Sequence, residues 1–537
     1  MEPVFLTETE IKEFYEGFSN ETLWPTFHYF SQYAVYEQTY WEAYVKVNEK
    51  FCAQIIKNAQ PTDTIWIHDY QLLLLPSLVR EHLPDITIGF FQHIPFPSYE
   101  VFRLLPWRKS ILQGMLGADL IGFHTYDDVR HFVSSVKYIV GHSSTHGIID
   151  TGDRSVMTDA FPMGIDYEKY AGLAASDQVK KLEQNFREAM KNLQIVLSID
   201  RLDYSKGIPQ RLKAFEQFLN DCPELHEKAV LVMVVVPSRD KVEKYKKLKE
   251  EIDELVGRIN GLFRTINWAP IHYYYHSFPL EELSAFYRMA NVALVTPMRD
   301  GMNLVCKEYI ASRTDSNGVL ILSEMAGAAK ELSEAILINP NDINQIASAI
   351  CQALTIPEAE QKVPMTSMKA IVQKYNIHHW VKIFMDRLTF IKEKQNSLQT
   401  TLLKGASLDE CKAAYDQAQQ RLIFLDYDGT LMPFTRDPNK TQPDKELLTI
   451  LQNISADKKN RIVVISGRDR QTLGDWLGTL PLDMIAEHGI WLHRYGSEWK
   501  RIQNLSNKWK EDIRSVLENY VSRTPGALLE EKDYALV

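Results

Sequence analysis

The run IVLSIDRLDYSKG at residues 195–207 predicts a buried strand that ends in a cation-rich turn. Its first part, Ile195–Ile199, has the length and the aliphatic content of a strand in a parallel sheet. Arg201 and Lys206 then place two cations near the start of the next helical segment, Ile208–Leu219, whose free N–H groups and dipole favour an anion. Because a departing diphosphate needs positive charge in the transition state, such fixed cations could stabilise it without a metal ion.

Short aliphatic runs alternate with longer amphipathic segments over most of the chain, and this alternation predicts a parallel α/β fold. Lys241–Val256 is a second predicted helix, with Lys and Glu at helical spacing on a solvated face. Phe161–Asn192 has few strand signals and is interpreted as the junction of two α/β halves, and residues 366–420 as helices and a connector. The predicted strands are Thr64–Ile67, Ile86–Phe91, Leu120–Phe123, Ile195–Ile199, Ala229–Val236, Val292–Val295, Val319–Leu322, Ala335–Ile338 and Leu422–Leu425.

Polar residues follow nearly all of these strands. In open parallel sheets, ligands bind beyond the carboxyl ends of the strands. A single His or Asp at such an end is more often a cap or a turn residue, but turns do not require these residue types at so many equivalent ends. Two halves with polar strand ends facing one cleft would form a site for a donor and an acceptor. The residues concerned are His68, Asp69, His93, His124, Arg201, Asp203, Lys206, Arg239, Asp300 and Gly301.

The stretch RDGMNL, with the CKE that follows it closely, predicts a sugar-nucleotide contact at the start of a helix. Gly301 permits close backbone approach, and Met302–Leu304 would present amide groups. Asp300 could bind sugar hydroxyls, and Glu308 could accept hydrogen bonds from both ribose hydroxyls of a nucleotide. The alternative is an ordinary helix capped by Asp300 or Asn303.

The composition is that of a globular protein, with 45% hydrophobic and 24% charged residues. A net charge of -10 argues against general affinity for nucleic acid or anionic membranes, so neither is expected as a partner. No signal peptide and no run of membrane-spanning length is evident, which favours a cytoplasmic protein. The five cysteines are scattered without a CxxC pair, and we expect reduced thiols rather than disulfides or a structural zinc site.

Six runs of the chain resemble trehalose-6-phosphate synthases, in consistent order from about Glu8 to Gln395. They are FYEGFSNETLWPTFHY (14–29), IWIHDY (65–70), GFFQHIPFP (89–97), RLDYSKG (201–207), TPMRDGMNLVCKEY (296–309) and SEMAGAAKE (323–331). The resemblance implies the GT-B fold, with two Rossmann-like domains facing a cleft. It also implies transfer of glucose from UDP-glucose to glucose 6-phosphate with retention, which gives trehalose 6-phosphate and UDP.

The resemblance implies a donor site in the second half of this region. Arg201 and Lys206 would hold the diphosphate, and Glu308 the ribose. Asp300 and His93 would hold the transferred glucose. The other donor contacts would come from Gly301, Met302, Asn303 and Leu304.

The resemblance also implies an acceptor site. Tyr15, Trp24 and Arg239 would bind the acceptor, with Arg239 on its phosphate, and Asp69 would engage an acceptor hydroxyl. Trp24 and Tyr15 have a structural alternative, because the surrounding Leu23-Trp24-Pro25 is apolar enough to be core.

The implied reaction is front-sided and needs no metal or cofactor, because the departing phosphate takes the acceptor proton. Its catalytic residues would be Asp69, His93, Arg201, Lys206 and Asp300. The alternative is a double displacement through Asp69 or Asp300, which the sequence leaves open.

The pattern LDYDGT, which overlaps the end of the strand Leu422–Leu425, resembles phosphatases of the haloacid dehalogenase (HAD) type, and the later AEHG and EEK resemble trehalose-6-phosphate phosphatases. The resemblance implies Asp426 as nucleophile, Asp428 as general acid/base and Ser466 as phosphate ligand. Mg²⁺ would be bound through the first carboxylate.

We therefore predict four segments: an acceptor-side Rossmann-like domain (1–190), a nucleotide-sugar domain with a return helix (191–395), a helical connector (396–420) and a partial HAD-like α/β domain (421–537). Synthases of this kind begin with a strand and a Gly-rich loop over the donor phosphates, and the phosphatases carry a later lysine and an Asp-rich metal loop. None of these is found here, so both ends are expected to be truncated.

The expected activity is that of the synthase, conditional on the missing Gly-rich loop. Phosphatase activity is not expected, and Mg²⁺ would be needed only by a complete HAD domain. The alternative is a catalytically impaired regulator that binds sugar phosphates or nucleotides. UDP-glucose and glucose 6-phosphate are the expected small-molecule partners, and the sequence leaves a homo-oligomer open.

Overall fold

The computed structural model describes residues 2–152, 154–190, 193–239, 242–398, 406–433, 441–502, 506–521 and 529–537. The chain divides into two compact units, Met1–Gln399 (unit 1) and Thr400–Val537 (unit 2). Both are α/β structures in which parallel strands form a central sheet. None of the helices in the described ranges combines the length and the apolar character needed to span a bilayer.

Unit 1 contains two six-stranded sheets. The strands of the first are Thr64–His68 (β1), Thr87–Phe91 (β2), Leu120–Phe123 (β3), Ser144–Thr145 (β4), Ile148–Asp150 (β5) and Ser155–Ala160 (β6). Their order is β1-β2-β3-β6-β5-β4. The first four in this order run parallel, and β5 and β4 add antiparallel strands at one edge.

The second sheet has the order β12-β11-β10-β7-β8-β9 and is parallel throughout. Its strands are Gln194–Arg201 (β7), Ala229–Val236 (β8), Ile271–Tyr274 (β9), Val292–Val295 (β10), Val319–Ser323 (β11) and Ile336–Ile338 (β12). Its central strands are buried almost without interruption, as expected of a sheet with helices on both faces.

Helices cover both sheets of unit 1. They are Glu8–Glu10 (α1), Trp24–Phe27 (α2), Gln38–Asn58 (α3), Leu75–His82 (α4), Tyr99–Phe102 (α5), Arg108–Met115 (α6), Tyr126–Ser135 (α7), Tyr167–Ala175 (α8), Asp177–Ala189 (α9), Ile208–Asp221 (α10), Glu243–Phe263 (α11), Leu280–Met289 (α12), Leu304–Ser312 (α13), Ile343–Thr355 (α14), Glu358–Lys374 (α15) and Ile377–Leu398 (α16). Two segments, Ile11–Leu23 and Val136–Val140, are π-helical, which is uncommon and frequent near functional sites.

The last helix of unit 1, α16, returns to the first sheet. Phe384 is fully buried, with its ring 4.5 Å from the Trp66 ring and 5.1 Å from the Phe161 ring. Added Cβ atoms at Gly89 and Gly122 would each lie 2.8 Å from ring carbons of Phe384, so the helix packs directly on the backbone of β2 and β3. This contact ties the end of unit 1 to its beginning.

Unit 2 has a five-stranded sheet of order β13-β14-β15-β16-β17. Its strands are Arg421–Asp426 (β13), Asn460–Ile465 (β14), Asp483–Ala486 (β15), Trp491–His493 (β16) and Lys500–Arg501 (β17), and its helices are Ala406–Gln417 (α17), Lys445–Ala456 (α18), Arg470–Leu477 (α19) and Trp509–Val521 (α20). The first three strands are parallel, and the last two are antiparallel. A separate apolar core includes Tyr427, Leu451 and Leu473.

The predicted strands agree with the structure to within one or two residues, and three of them, Leu120–Phe123, Ala229–Val236 and Val292–Val295, agree at both ends. The expectation of five reduced cysteines is wrong for one pair, because Cys222 and Cys351 form a disulfide with a Cα–Cα distance of 6.7 Å. The two residues are 129 positions apart and meet because α10 packs against α14. Spacing along the chain does not reveal such a contact.

Candidate active site

The turn after β7 and the loop before α13 are joined by an ion pair. Asp203 accepts a hydrogen bond from the Ser205 amide at 2.9 Å, which fixes this turn. Lys206 Nζ lies 2.5 Å from Asp300 Oδ2, and the side chains are only 9% and 15% exposed. Burial alone would lower the pKa of Lys206, but Asp300 and Asp200 raise it. The ammonium is therefore held charged in a largely buried place.

The loop before α13 also touches the first half of unit 1. A Cβ built on Gly301 would lie 2.3 Å from the carbonyl oxygen of His93, so only glycine fits this approach. Asn303 caps α13 by accepting a hydrogen bond from the Cys306 amide at 3.3 Å, and its side chain donates to Asp300 Oδ2 at 3.1 Å. Of the two caps considered from the sequence, Asn303 is the one that forms, and it also orients Asp300.

A cavity of about 370 Å³ lies between these loops, a volume in the range of small-ligand sites. Residues of both halves line it, which brings most of the predicted donor residues together. The lining residues are His93, His124, Met163, Asp200, Arg201, Lys206, Asp300, Met302, Asn303, Leu304 and Val305. Arg201 remains exposed at the end of β7, with its guanidinium carbon 5.9 Å from the centre of the Trp24 ring.

Three histidines lie at or just after the carboxyl ends of the neighbouring strands β1, β2 and β3 of the first sheet. His68 Nδ1 and His93 Nε2 are 3.0 Å apart, and the rings of His93 and His124 are 5.8 Å apart. Burial lowers the pKa of His93 to about 4 and that of His124 to about 3. Both imidazoles are therefore neutral near pH 7 and can exchange hydrogen bonds with a sugar without adding charge.

Asp69 follows β1 in an uncommon backbone conformation, with φ 72°. Its Oδ1 accepts hydrogen bonds from the amides of Tyr70 at 2.9 Å and His93 at 3.3 Å. Burial raises the pKa of Asp69 to about 6, although these two amides and Arg201 act in the opposite direction. A non-glycine residue at positive φ with a raised pKa is typical of a functional position.

A second cluster surrounds Arg239. Its guanidinium carbon lies 4.2 Å from the centre of the Trp24 ring, and its Nη1 lies 3.2 Å from Asp203 Oδ2. Arg239 Nη1 also donates to the Tyr245 hydroxyl at 2.6 Å, and Trp24 Nε1 donates to Asp203 Oδ1 at 3.4 Å. Trp24 is 4% exposed, so it is a core residue that also packs against this arginine.

Tyr70 extends this cluster toward the start of the chain. Its hydroxyl accepts a hydrogen bond from Arg239 Nη2 at 3.4 Å and donates to Asn20 Oδ1 at 2.9 Å. Asn20 Nδ2 donates to the carbonyl oxygen of Tyr15, whose side chain is 44% exposed. Tyr70, Asn20 and Tyr245 were not among the predicted site residues. The first two lie within runs that resemble the synthases, whereas nothing distinguished Tyr245 on its lysine-rich helix.

Glu308 lies in the second turn of α13 and is not part of the cavity lining. Its Oε1 accepts a hydrogen bond from the Tyr170 hydroxyl at 3.0 Å, and its Oε2 accepts one from the Tyr287 hydroxyl at 2.7 Å. Both carboxylate oxygens therefore already have phenolic partners, which a ribose would share or replace.

The predicted residues of unit 2 also come together. Asp426 Oδ2 accepts a hydrogen bond from Thr430 Oγ1 at 3.0 Å, and Ser466 Oγ donates to Asp428 Oδ2 at 3.3 Å. Arg468, which was not predicted, donates to both oxygens of Asp428, from Nε at 3.0 Å and from Nη2 at 2.6 Å. The guanidinium therefore forms a bidentate ion pair with Asp428, the expected general acid/base.

Within the ranges that the structure describes, one group of three side chains could hold a metal ion by proximity. It consists of Cys222, Glu224 and Cys351. The two cysteines form the disulfide, and none of the three lines the cavity between the halves.

Two Rossmann-like halves with strand-end loops around one cavity are the arrangement of the GT-B fold. The family model described as glycosyltransferase family 20 matches residues 1–390, and one described as trehalose-phosphatase matches residues 424–537. Because the first match spans well over half of the length of this chain, the chain belongs to glycosyltransferase family 20. The predicted fold, GT-B followed by a HAD-like unit, is confirmed.

The chain is 44% identical to a bifunctional trehalose-6-phosphate synthase/phosphatase of Thermoproteus tenax, over 99% of this chain and 73% of that protein. It is 45% identical to an α,α-trehalose-phosphate synthase (UDP-forming) of Candida albicans, over 72% of this chain and 82% of that protein. A solved synthase from Burkholderia xenovorans in complex with glucose 6-phosphate is 34% identical with a TM-score of 0.69, over 72% of this chain and 86% of that one. An E. coli structure bound with UDP-2-fluoro glucose is 36% identical with a TM-score of 0.69, over 71% of this chain and 85% of that one.

Proposed function

We propose that this chain transfers glucose from UDP-glucose to the anomeric hydroxyl of glucose 6-phosphate, forming α,α-trehalose 6-phosphate and UDP. The observation that carries the proposal is the cavity lined by Arg201, Lys206 and Asp300 on one side and His93 on the other. The ligands named for the Burkholderia and E. coli structures, glucose 6-phosphate and UDP-2-fluoro glucose, support the choice of substrates.

The donor diphosphate binds to Arg201 and Lys206. Lys206 is held charged by Asp300, and Arg201 is exposed beside it at the strand end. A diphosphate competes with Asp300 for the ammonium, and Asp300 is then free to bind hydroxyls of the transferred glucose. The neutral imidazole of His93 binds the same sugar, and Gly301 and Met302–Leu304 supply close backbone contacts.

The ribose of the donor binds at Glu308, which lies in the same helix, α13, whose start lines the cavity. The hydroxyls of Tyr170 and Tyr287 hold the Glu308 carboxylate in position. Two carboxylate oxygens match the two hydroxyls of a ribose.

The acceptor binds on the side of Trp24 and Arg239. The Arg239 guanidinium lies against the indole, and it interacts with the acceptor phosphate as a cation. Tyr15 closes this side through its partly exposed ring. Asp69 accepts a hydrogen bond from an acceptor hydroxyl near the reacting carbon.

In the reaction, the bond between the glucose C1 and the phosphate oxygen breaks, and the acceptor hydroxyl oxygen forms a new bond to C1 on the same face. The acceptor proton passes to the departing phosphate oxygen. Arg201 and Lys206 stabilise the negative charge of the leaving UDP, which is the largest electrostatic change in this step. No cofactor takes part in this scheme.

A double displacement through a carboxylate is the less suitable alternative. Asp300 receives a hydrogen bond from Asn303, which reduces its nucleophilicity. Asp69 already accepts two backbone hydrogen bonds. Trapping of a covalent glucosyl-enzyme at either residue would contradict the front-sided scheme.

The test is release of UDP from UDP-glucose, with and without glucose 6-phosphate, by the purified chain and its Arg201→Ala variant. We expect release that requires the acceptor and falls by about 10²-fold or more in the variant. UDP binding without turnover would instead support a regulatory protein that binds nucleotides. The absence of both UDP binding and turnover would contradict both functions.

We also propose that this chain does not hydrolyse trehalose 6-phosphate, although one bifunctional relative carries both activities in its name. The support is Arg468, which binds both oxygens of Asp428, the expected general acid/base. Phosphate release from trehalose 6-phosphate in the presence of Mg²⁺ would overturn this proposal. A cytoplasmic location and a homo-oligomeric state stay predictions.

A further inference from the structure

A second cavity, of about 340 Å³, lies outside the cleft in the first half of unit 1. It is bounded by α5, the start of α6 and the π-helical segment Val136–Val140, and none of its residues lines the cavity between the halves. Its lining residues are Tyr99, Arg103, Pro106, Arg108, Lys109, Tyr138 and Ile139.

All charged residues that line this second cavity are cations. Arg103, Arg108 and Lys109 carry three positive charges within a chain whose net charge is -10. The carboxylate of Glu100 lies 3.6 Å from Arg103, but both side chains are more than half exposed, so this pair contributes little. Such a local excess of positive charge inside a concave site favours an anionic ligand.

The start of α6 adds to this preference. Its N-cap residue, Trp107, makes no side-chain hydrogen bond, and the first turn contains Arg108 and Lys109 but no acidic residue. Cations at a helix N-terminus are unfavourable with respect to the helix dipole, whereas an anion there is favourable. A bound anion would therefore satisfy both the cations and the helix end.

Two tyrosine rings form an adjacent wall of the cavity. The rings of Tyr99 and Tyr138 are 5.1 Å apart, and the Arg103 guanidinium carbon lies 5.6 Å from the centre of the Tyr99 ring. Tyr138 is 63% exposed, so its ring is accessible to a ligand in this cavity. Aromatic faces of this kind pack against the apolar face of a sugar or another small ring.

We propose that this second cavity binds a small phosphate monoester such as a sugar phosphate, separately from the acceptor site of the transferase. The three cations and the start of α6 bind the phosphate, and Tyr99 and Tyr138 pack against the organic part. The volume of about 340 Å³ lies within the range for small-ligand sites.

The test is calorimetric titration of the whole chain with glucose 6-phosphate, with glucose as a probe that lacks the phosphate. We compare wild type with the double variant Arg103→Gln and Lys109→Gln. The matched control, Lys57→Gln and Lys181→Gln, removes the same charge from two exposed positions outside both cavities. We expect two sites for glucose 6-phosphate in wild type and in the control, and one in the Arg103/Lys109 variant, with unchanged kcat for UDP release.

Each lost charge-assisted hydrogen bond weakens binding about tenfold or more, so the site disappears from the titration range. The same number of sites in wild type and in the Arg103/Lys109 variant would overturn the proposal. One site in wild type and none in that variant would support this cavity and contradict the proposed acceptor site. Binding of nucleoside diphosphates but not of glucose 6-phosphate would overturn the ligand class.

A second variant, Tyr138→Ala, tests the aromatic wall without removing a buried group. We expect it to weaken glucose 6-phosphate at this site several-fold and to leave the affinity for inorganic phosphate unchanged. Equal weakening of both probes would contradict the role of the ring.

Discussion

The ion pair between Lys206 and Asp300 determines whether either charge is free to bind a ligand in the cavity. Both are largely buried, so their attraction is screened less than that of a surface pair. Removing one partner leaves the other charge buried without compensation. In the proposed mechanism, the same ammonium neutralises Asp300 and the donor diphosphate in turn, so binding of the phosphates and recognition of the sugar hydroxyls would be coupled through a single side chain.

Replacing Lys206 by Gln is expected to lower kcat for UDP release by about 10² to 10³, because a fixed charge beside the leaving group is lost. The control is Lys213→Gln, since Lys213 lies on α10 with its side chain 47% exposed. Steady-state kinetics of UDP release measure both. A Lys206→Gln enzyme within threefold of wild type would show that Arg201 alone supports the leaving group.

In the proposed mechanism, Asp69 gives the reaction an acidic limit. Burial raises its pKa from 3.8 to about 6, so the carboxylate that would accept a hydrogen bond from the acceptor hydroxyl is protonated below that pH. We expect kcat/KM for glucose 6-phosphate to fall about tenfold per pH unit below pH 6. His93 and His124, with pKa values near 4 and 3, do not titrate in this window.

In Asp69→Asn, which keeps an oxygen for the amides of Tyr70 and His93, the remaining activity should lose this dependence. A pH profile with the same acidic limb in the variant would assign the limb to another group.

The effect of Asp69 on the pH dependence of folding stability is opposite in sign to that of an ordinary ion-paired aspartate. Because the pKa of Asp69 is raised in the folded state, the folded state loses stability as the pH rises from about 4 to 6.

At the scale of elements, α16 holds the first sheet in place. The helix lies on two glycines of the sheet, and Phe384 fills the space above them. His93 and His124 follow shortly after the ends of strands β2 and β3, so the packing of this helix also fixes the direction of the strands that lead to these residues.

Phe384→Ala should therefore destabilise unit 1 by about 3–5 kcal/mol, through lost burial and the cavity that remains. Phe390→Ala is the matched control on the same helix, because Phe390 is 50% exposed, and its effect should be within about 0.5 kcal/mol. Urea unfolding followed by tryptophan fluorescence compares the two midpoints. Equal shifts would indicate that α16 is held by its exposed face or by its ends.

The elements were predictable where burial is uniform, and less so where it is not. Ala229–Val236 is apolar on both faces, and its prediction was correct at both ends. In contrast, β6, Ser155–Ala160, carries Thr158 and Asp159 and was not predicted, although it pairs with β3. Its polar side chains are satisfied by contacts that form only in the folded state, such as Thr158 Oγ1 donating to the Gly147 carbonyl oxygen.

The candidate site shows the same division. Residues in motifs, such as Lys206 and Asp300, were predicted and lie together. Arg468 and Tyr245 were not predicted, because their positions depend on contacts over 40 to 42 residues along the chain. The disulfide between Cys222 and Cys351 was missed for the same reason, at a separation of 129 residues.

At the scale of the whole molecule, the two units have separate cores. Clusters around Phe90, Met233 and Phe384 belong to unit 1, and the cluster around Leu451 belongs to unit 2. Units with separate cores can unfold in separate transitions, so a ligand of one unit stabilises that unit selectively.

We expect UDP at 100 times its Kd to stabilise unit 1 by about 2.7 kcal/mol, which corresponds to roughly 3 °C for a domain of this size. The midpoint temperature of the unit 2 transition should not change. Differential scanning calorimetry resolves the two transitions, and Lys206→Gln should reduce the shift as a control. Equal shifts of both transitions would show that the units unfold as one.

The contact between Gly301 and the His93 carbonyl has a consequence for the timing of turnover. The two backbones belong to opposite halves of unit 1 and meet with no space for even a methyl group. Any side chain at position 301 would act as a wedge that keeps the halves apart and admits water to the reacting carbon. With glycine there, the two backbones can meet directly beside the proposed sugar site. If product release requires the halves to separate, this contact must break once in each catalytic cycle.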